Sequence, residues 1–274
     1  MIVNTFSYTM NIFFKILIVT IIYCFFADNI YAKNNLLSYQ SEYSINLFES
    51  GETRIPGKTY VDKASGNLYV DWINNCNNSW ISNQRMVTRF VNSHGVGTLS
   101  EINYSVNEST DGQKMDFVLE IKENAELIDR TIGKAEKNDE LTVNLRDKKT
   151  ITFSNDVIFP HKFLEKIIDN FQSQKKMIIG NVYEGTIPDK YFKISVFFTD
   201  EIVRESKKII PKGVINKFKK IRMAYYKDNI QTPIFEQTVH LNEQGIASFF
   251  KYDYPDYSLL LNLEKIDLTS LSCE

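Results

Sequence analysis

Apolar residues return at every second position in one stretch of this chain after another, and that two-residue period is what most limits the folds open to it. In the first stretch Tyr39, Tyr43, Ile45 and Leu47 share one face while Gln40, Glu42, Ser44 and Asn46 share the other. Successive side chains of a strand point to opposite faces, so the pattern reads as a half-buried strand. It recurs at Leu68, Val70 and Trp72, at Met115, Phe117, Leu119 and Ile121, and at Leu141, Val143 and Leu145. Two later stretches repeat it, Phe192, Ile194, Val196 and Phe198, then Tyr257, Leu259, Leu261 and Leu263. The chain carries 15 Tyr and 19 Phe against 11 Gly, which suits pleated strands better than a helical bundle or a glycine-rich nucleotide-binding sheet. Short turn signals lie between the stretches: Ser65-Gly66-Asn67, Asp111-Gly112, Glu184-Gly185, Asp228-Asn229 and Gln244-Gly245. Turns this short favour antiparallel hairpins over long crossovers. The expectation is a mainly β fold, a meandering antiparallel sheet of a dozen or so strands, too large to stay flat and therefore curled.

One segment has a different period. After Phe159-Pro160, residues Phe163, Leu164, Ile167, Ile168 and Phe171 repeat at three to four positions, which predicts an amphipathic helix over 160–176. Pro would stand in its first turn and Lys175-Lys176 near its end, and its expected role is to cover one face of the sheet or plug the mouth of a barrel.

The first thirty residues read as an address. Up to Lys15 there is one basic and no acidic residue, and Ile16 to Phe26 carries no charge. As a helix that eleven-residue run would rise about 16 Å, short for a bilayer span. A signal peptide of residues 1–32 fits better than an uncleaved anchor, with Ala32 before the cut and Lys33 after it. The remainder, 33–274, shows no repeat and no Pro/Ser-rich linker and reads as a single domain. Losing the leader removes Lys15 and Asp28, so the net charge stays at −2. That balance lacks the positive field that non-specific nucleic-acid binding needs. Cys24 leaves with the leader, and Cys76 and Cys273 remain in a chain bound for an oxidising compartment, where a disulfide between them is favoured over two unrelated thiols.

Catalytic motifs are missing. Gly51 to Thr59 resembles a phosphate loop but has five residues between its glycines and runs into a strand rather than a helix. Ser173 precedes Lys176 by three positions at a helix end with no Lys-Thr-Gly strand after it. His94, His161 and His240 are scattered, so neither a metal nor a cofactor is expected, and Asp139-Glu140 reads as solvated surface. The chain is expected not to be an enzyme. One charged stretch stands out: Arg204, Lys207, Lys208, Lys212, Lys217, Lys219, Lys220 and Arg222 against Glu205. It is a candidate patch for anionic lipid headgroups or an acidic partner, and otherwise a solvated loop and strand edge defended by lysines.

With these residues in view, the chain resembles the EipB family of cell-envelope integrity proteins. The resemblance is carried by Ser38 to Leu47, by Ser65 to Trp72 leading to Cys76, Trp80 and Arg85, and by Asn107-Glu108-Ser109-Thr110-Asp111-Gly112 with Phe117. It continues through Phe159-Pro160-His161 and Val182-Tyr183-Glu184-Gly185. It closes with Leu241 to Ile246, Tyr252-Asp253-Tyr254, Tyr257, Leu261 and Cys273. Asn77-Asn78-Ser79-Trp80 stands where the family has a small Gly after its first Cys. The resemblance implies a secreted β-spiral, an open curled sheet similar to periplasmic lipoprotein carriers, with a disulfide matching Cys76 and Cys273, and it brings no catalytic residue. The expectation is then a periplasmic protein that helps maintain the envelope by holding a lipid or acylated lipoprotein segment in its concave face. The alternative is a scaffold docking another envelope protein through a strand edge or the basic patch. A hydrolase of envelope polymers would be a third reading, for which the sequence nominates no residues.

Overall fold

A computed structural model describes residues 36–50, 59–75, 77–173, 175–206, 209–227 and 230–269, all within one compact unit, Asn35–Glu274. The leader with Ala32 and Lys33, all three cysteines, Lys207, Lys208, the Asp228-Asn229 turn and residues 51–58 of the phosphate-loop look-alike lie outside the described residues.

The first eight strands are β1 (Tyr39–Ser50), β2 (Val61–Asn75), β3 (Ser79–Asn92), β4 (Gly97–Ser109), β5 (Lys114–Glu123), β6 (Glu126–Lys137), β7 (Leu141–Leu145) and β8 (Thr150–Phe153). A two-residue β9 (Val157–Ile158) leads into the helix α1 (Pro160–Ser173). Then follow β10 (Met177–Val182), β11 (Phe192–Val203), β12 (Phe218–Tyr226), β13 (Phe235–Leu241), β14 (Ala247–Asp253) and β15 (Tyr257–Leu268). All fifteen join one sheet, in the order β8-β7-β6-β5-β4-β3-β2-β1-β15-β14-β13-β12-β11-β10-β9. β1 to β8 form one antiparallel meander and β10 to β15 another, and the two are joined where β1 runs antiparallel to β15, Tyr39 opposite Leu268.

Only β9 and β10 pair in parallel among the described strands, Val157 opposite Asn181. A parallel pair cannot be closed by a tight turn and needs a crossover. α1 is that crossover, which explains why one helix interrupts a chain of hairpins. The two ends of the sheet then curl toward each other: Leu141 and Val143 of β7 and Phe153 of β8 share an apolar cluster with Val157 and Tyr183, and the Phe153 and Tyr183 rings lie 5.3 Å apart. The result is a barrel-like sheet that nearly closes, as expected for a sheet of this size.

The expected strand faces are those observed, with Tyr43, Ile45, Phe117, Val143, Ile194, Leu259 and Leu261 all buried. Outward faces carry charges in register: Lys114 opposes Glu136, Asp116 opposes Lys134 and Glu120 opposes Arg130 across β5 and β6. Such pairs contribute about 0.2–1 kcal/mol each and help fix the register.

Two expectations need correction. Ser65-Gly66-Asn67 is no turn but the middle of β2, where a Cβ on Gly66 would lie 2.0 Å from the Val87 carbonyl oxygen. Glycine there permits close approach of the next strand rather than reversal of the chain. The helix stops at Ser173, not 176, because the Asn170 side chain turns back to donate to the Lys175 carbonyl at 2.8 Å. The β2–β3 turn needs no glycine: Asn78 takes the left-handed conformation itself, at φ 58°. Among the described residues no helix is long and apolar enough to cross a membrane.

Candidate functional site

α1 presents Phe163, Ile167, Ile168 and Phe171 to β10–β14, where they pack with Val182, Ile194, Val196, Ile221 and Val239. Gly180 makes room for this, since a Cβ there would lie 2.4 Å from the Phe163 ring. The first half of the same face, with Phe163 and Ile167 joined by Pro160 and Leu164, borders a cavity of about 660 Å3 within the curled sheet. Its wall includes Tyr39 and Tyr43 of β1, Leu68 and Val70 of β2, Met86 of β3, Ile102 and Tyr104 of β4, Leu119 of β5 and Leu164 of α1. From the second meander come Ile221, Met223, Tyr225, Val239, Phe250 and Tyr252. That volume falls in the range of small-molecule pockets, and the lining is mostly apolar.

Few polar groups reach this space. Tyr39 and Tyr43 donate to the backbone oxygens of Gly245 (3.3 Å) and Ala247 (2.8 Å), and Tyr225 to Gln237 Oε1 (3.0 Å). Burial pushes these phenols well above their ordinary range, so they stay neutral hydrogen-bonding groups. Among the described residues, Glu184 is the only charged one in the lining. Its backbone is held from across the sheet, where the Tyr104 hydroxyl donates to its carbonyl. Gly185 turns the chain at φ 75° against the Phe117 ring, with 2.4 Å left for any Cβ. Burial alone pushes the Glu184 carboxyl up to about 7.

The lid is anchored at both ends. Glu108, buried on β4, accepts hydrogen bonds from the backbone N–H groups of His161 (2.7 Å) and Lys162 (2.9 Å), doing from another strand the work of an N-cap. Burial pushes its carboxyl up to about 8, against the pull of those two N–H groups. His161 stacks on Trp80 at 4.9 Å, with Trp72 at 5.6 Å and Glu165 Oε1 3.3 Å from its Nε2. At the far end the Lys219 ammonium donates to the Phe171 carbonyl at 2.8 Å and sits 4.6 Å from the Phe171 ring.

That last contact bears on the basic stretch. Lys219 is thus committed to the helix, Lys220 pairs with Glu201 at 2.9 Å, and Arg204 donates to the Asn216 carbonyl. Lys217 and Lys212 lie in the connection before β12, and Arg222 is exposed on it. β12 runs between β11 and β13, so these residues do not guard a strand edge. Sequence reasoning placed Glu184 only in a turn and Glu108 only in a motif. An acidic residue beside an aromatic and a glycine, at the end of a strand, was the signal available for the first.

A single sheet curled round an apolar cavity, with one helix packed across it, defines the class: a barrel-like, mainly β protein. The chain belongs to the EipB-like family, whose model matches residues 31–270. It is 23% identical over 246 residues to the cell envelope integrity protein EipB of Brucella abortus (strain 2308), covering 85% of this chain and 84% of that one. The crystal structure of a beta-barrel-like protein of the domain of unknown function DUF1849, also from Brucella abortus, superposes with a TM-score of 0.78 at 19% identity. That match covers 86% of this chain and 99% of the other and gives the fold independent support.

Proposed function

We propose that this chain is a non-enzymatic periplasmic protein that maintains the cell envelope by holding a lipid or the acyl segment of a lipoprotein inside its sheet. The observation that carries the reading is the cavity of about 660 Å3, walled by apolar residues of both meanders and closed on one side by α1. The name of the Brucella abortus relative supports the envelope role. The leader would deliver the chain, and the cavity would do the work. Native mass spectrometry of the protein recovered from its exporting host should show an acyl-chain adduct, and a Met86→Trp variant, which fills the cavity from β3, should lose it. An empty wild-type protein that also fails to take up any added hydrocarbon probe would end this reading.

The edge of β8 favours a second reading. Thr150-Ile151-Thr152-Phe153 has β7 on one side and, among the described strands, no partner on the other. It carries neither Pro nor Lys, so a partner envelope protein could add a strand there. Under this reading Thr152→Pro would abolish envelope maintenance in the host while cavity binding persists.

A further inference from the structure

The proposed function leaves open which amphiphile the cavity accepts, and Glu184 bears on that choice. An ionised carboxylate facing apolar walls is costly unless something pairs with it. Among the described residues no side chain or backbone group donates a hydrogen bond to this one, and no Lys, Arg or His lines the cavity to balance it. Its charge is felt by the hydroxyls of Tyr104, Tyr225 and Tyr252, which come from three different strands around it. Tyr225 is occupied with Gln237, whose amide oxygen takes that hydrogen bond and leaves the amide N–H2 group for another partner. The cavity therefore has one acid, neutral hydroxyl and amide groups around it, and no cation. A phosphate or carboxylate head would meet like charge and no counterion. A protonated amine would meet the acid directly, in surroundings where an ion pair with added hydrogen bonds is strong.

We propose that Glu184 is the head-group anchor of the cavity and that the occupant is a long-chain amphiphile carrying a protonated amine. This rests on the cavity being a binding site at all, and the assay below separates the two claims. The hydrocarbon lies against the apolar wall of β1 to β4, and the ammonium sits at Glu184. Selection among amphiphiles then comes from the head, because the apolar wall treats equal chains alike.

The test is calorimetric binding of dodecylamine, dodecanol and laurate, each below its micellar concentration, to the full exported chain at pH 8. The amine should bind at least tenfold tighter than laurate, and Glu184→Gln should erase that preference without changing dodecanol binding. The wild type supplies a second readout that needs no variant: its preference for the amine should shrink between pH 8 and pH 6, as the Glu184 carboxyl takes up a proton. Among the described residues no histidine lines the cavity, and the three phenols titrate far above this range. Glu108 at the helix start does titrate nearby, so Glu184→Gln is measured across the same pH range, where the preference should be absent throughout. If dodecanol binds but amine and laurate bind alike, or if Glu184→Gln leaves the preference intact, the anchor is refuted and the cavity stands. If none of the three probes binds, the cavity reading falls and takes the anchor with it.

Discussion

Glu108 is buried and Glu184 half-buried against the cavity, and the protein treats the two carboxylates differently: among the described residues one has two backbone donors and the other has none. Glu108 ionises near 4.5 in the unfolded chain and near 8 when folded. Between those values the folded protein keeps a proton that the unfolded chain has released, so the stabilisation is complete below pH 4.5 and is lost as pH rises toward 8. Calorimetry at pH 5, 6.5 and 8 should show the wild-type Tm falling with pH and Glu108→Gln flattening the slope. Glu184 acts in the same direction up to about 7, so the double Gln variant should be flattest. Ser65 and Asn67, the neighbours of Gly66, are turn formers, and the three together read as a reversal, yet β2 continues through them for 15 residues. What decided was the Val87 backbone passing 2.0 Å from where a Cβ would be, a long-range contact that no local composition reveals. Gly66→Ala should therefore cost about 1–3 kcal/mol of stability in a denaturant titration.

Elements with one wet face were legible in the sequence. β1 and β5 alternate cleanly because the sheet is buried on the inside and solvated outside, and β11 and β15 keep the same inward face despite a buried serine on the other, Ser195 and Ser258. β6 was not legible: Glu126 to Arg130 is exposed on both faces, and its place comes from charges paired with β5 rather than from apolar spacing. The helix was plain from its period, but its end was not, since a side-chain hydrogen bond from Asn170 to Lys175 sets it. The lysines of β12 were visible as charge, whereas their roles depend on what lies across the sheet. Lys219 closes the last turn of α1, so Lys219→Ala should lower stability by about 1–3 kcal/mol. Lys217→Ala, in the connection before the strand, should leave the thermal midpoint unchanged. Equal effects of the two would show that the ammonium contributes nothing to the helix.

At the scale of the whole molecule the sheet brings distant parts of the chain side by side. Trp72 and Leu268 both lie opposite Tyr39, on either side of β1, and the Thr269 N–H donates to the Ser38 carbonyl. The described residues just before Cys76 and Cys273 thus leave the sheet at the same end, which supports the proposed bridge. Residues 76 and 273 stand 197 positions apart, and closing so long a loop removes about 5 kcal/mol of unfolded-state freedom. Cys76→Ser or Cys273→Ser should lower the oxidised protein's thermal midpoint by several degrees, and identical melting of the variants and wild type would refute the bridge. The strand order holds one more consequence. Between β8 and β9 the chain is continuous and the sheet is interrupted, while between β15 and β1 the sheet is continuous and the chain is not. The meander is therefore a ring cut at one place and sealed at another. Its ladder of greatest sequence separation, Tyr39 with Leu268, has to wait for the last strand to be available. Contacts of that kind slow folding, because the loop must close before its hydrogen bonds form. A permuted chain that begins at β9 and links β15 to β1 by a short turn would turn this slowest contact into a local hairpin, and should reach the same sheet faster.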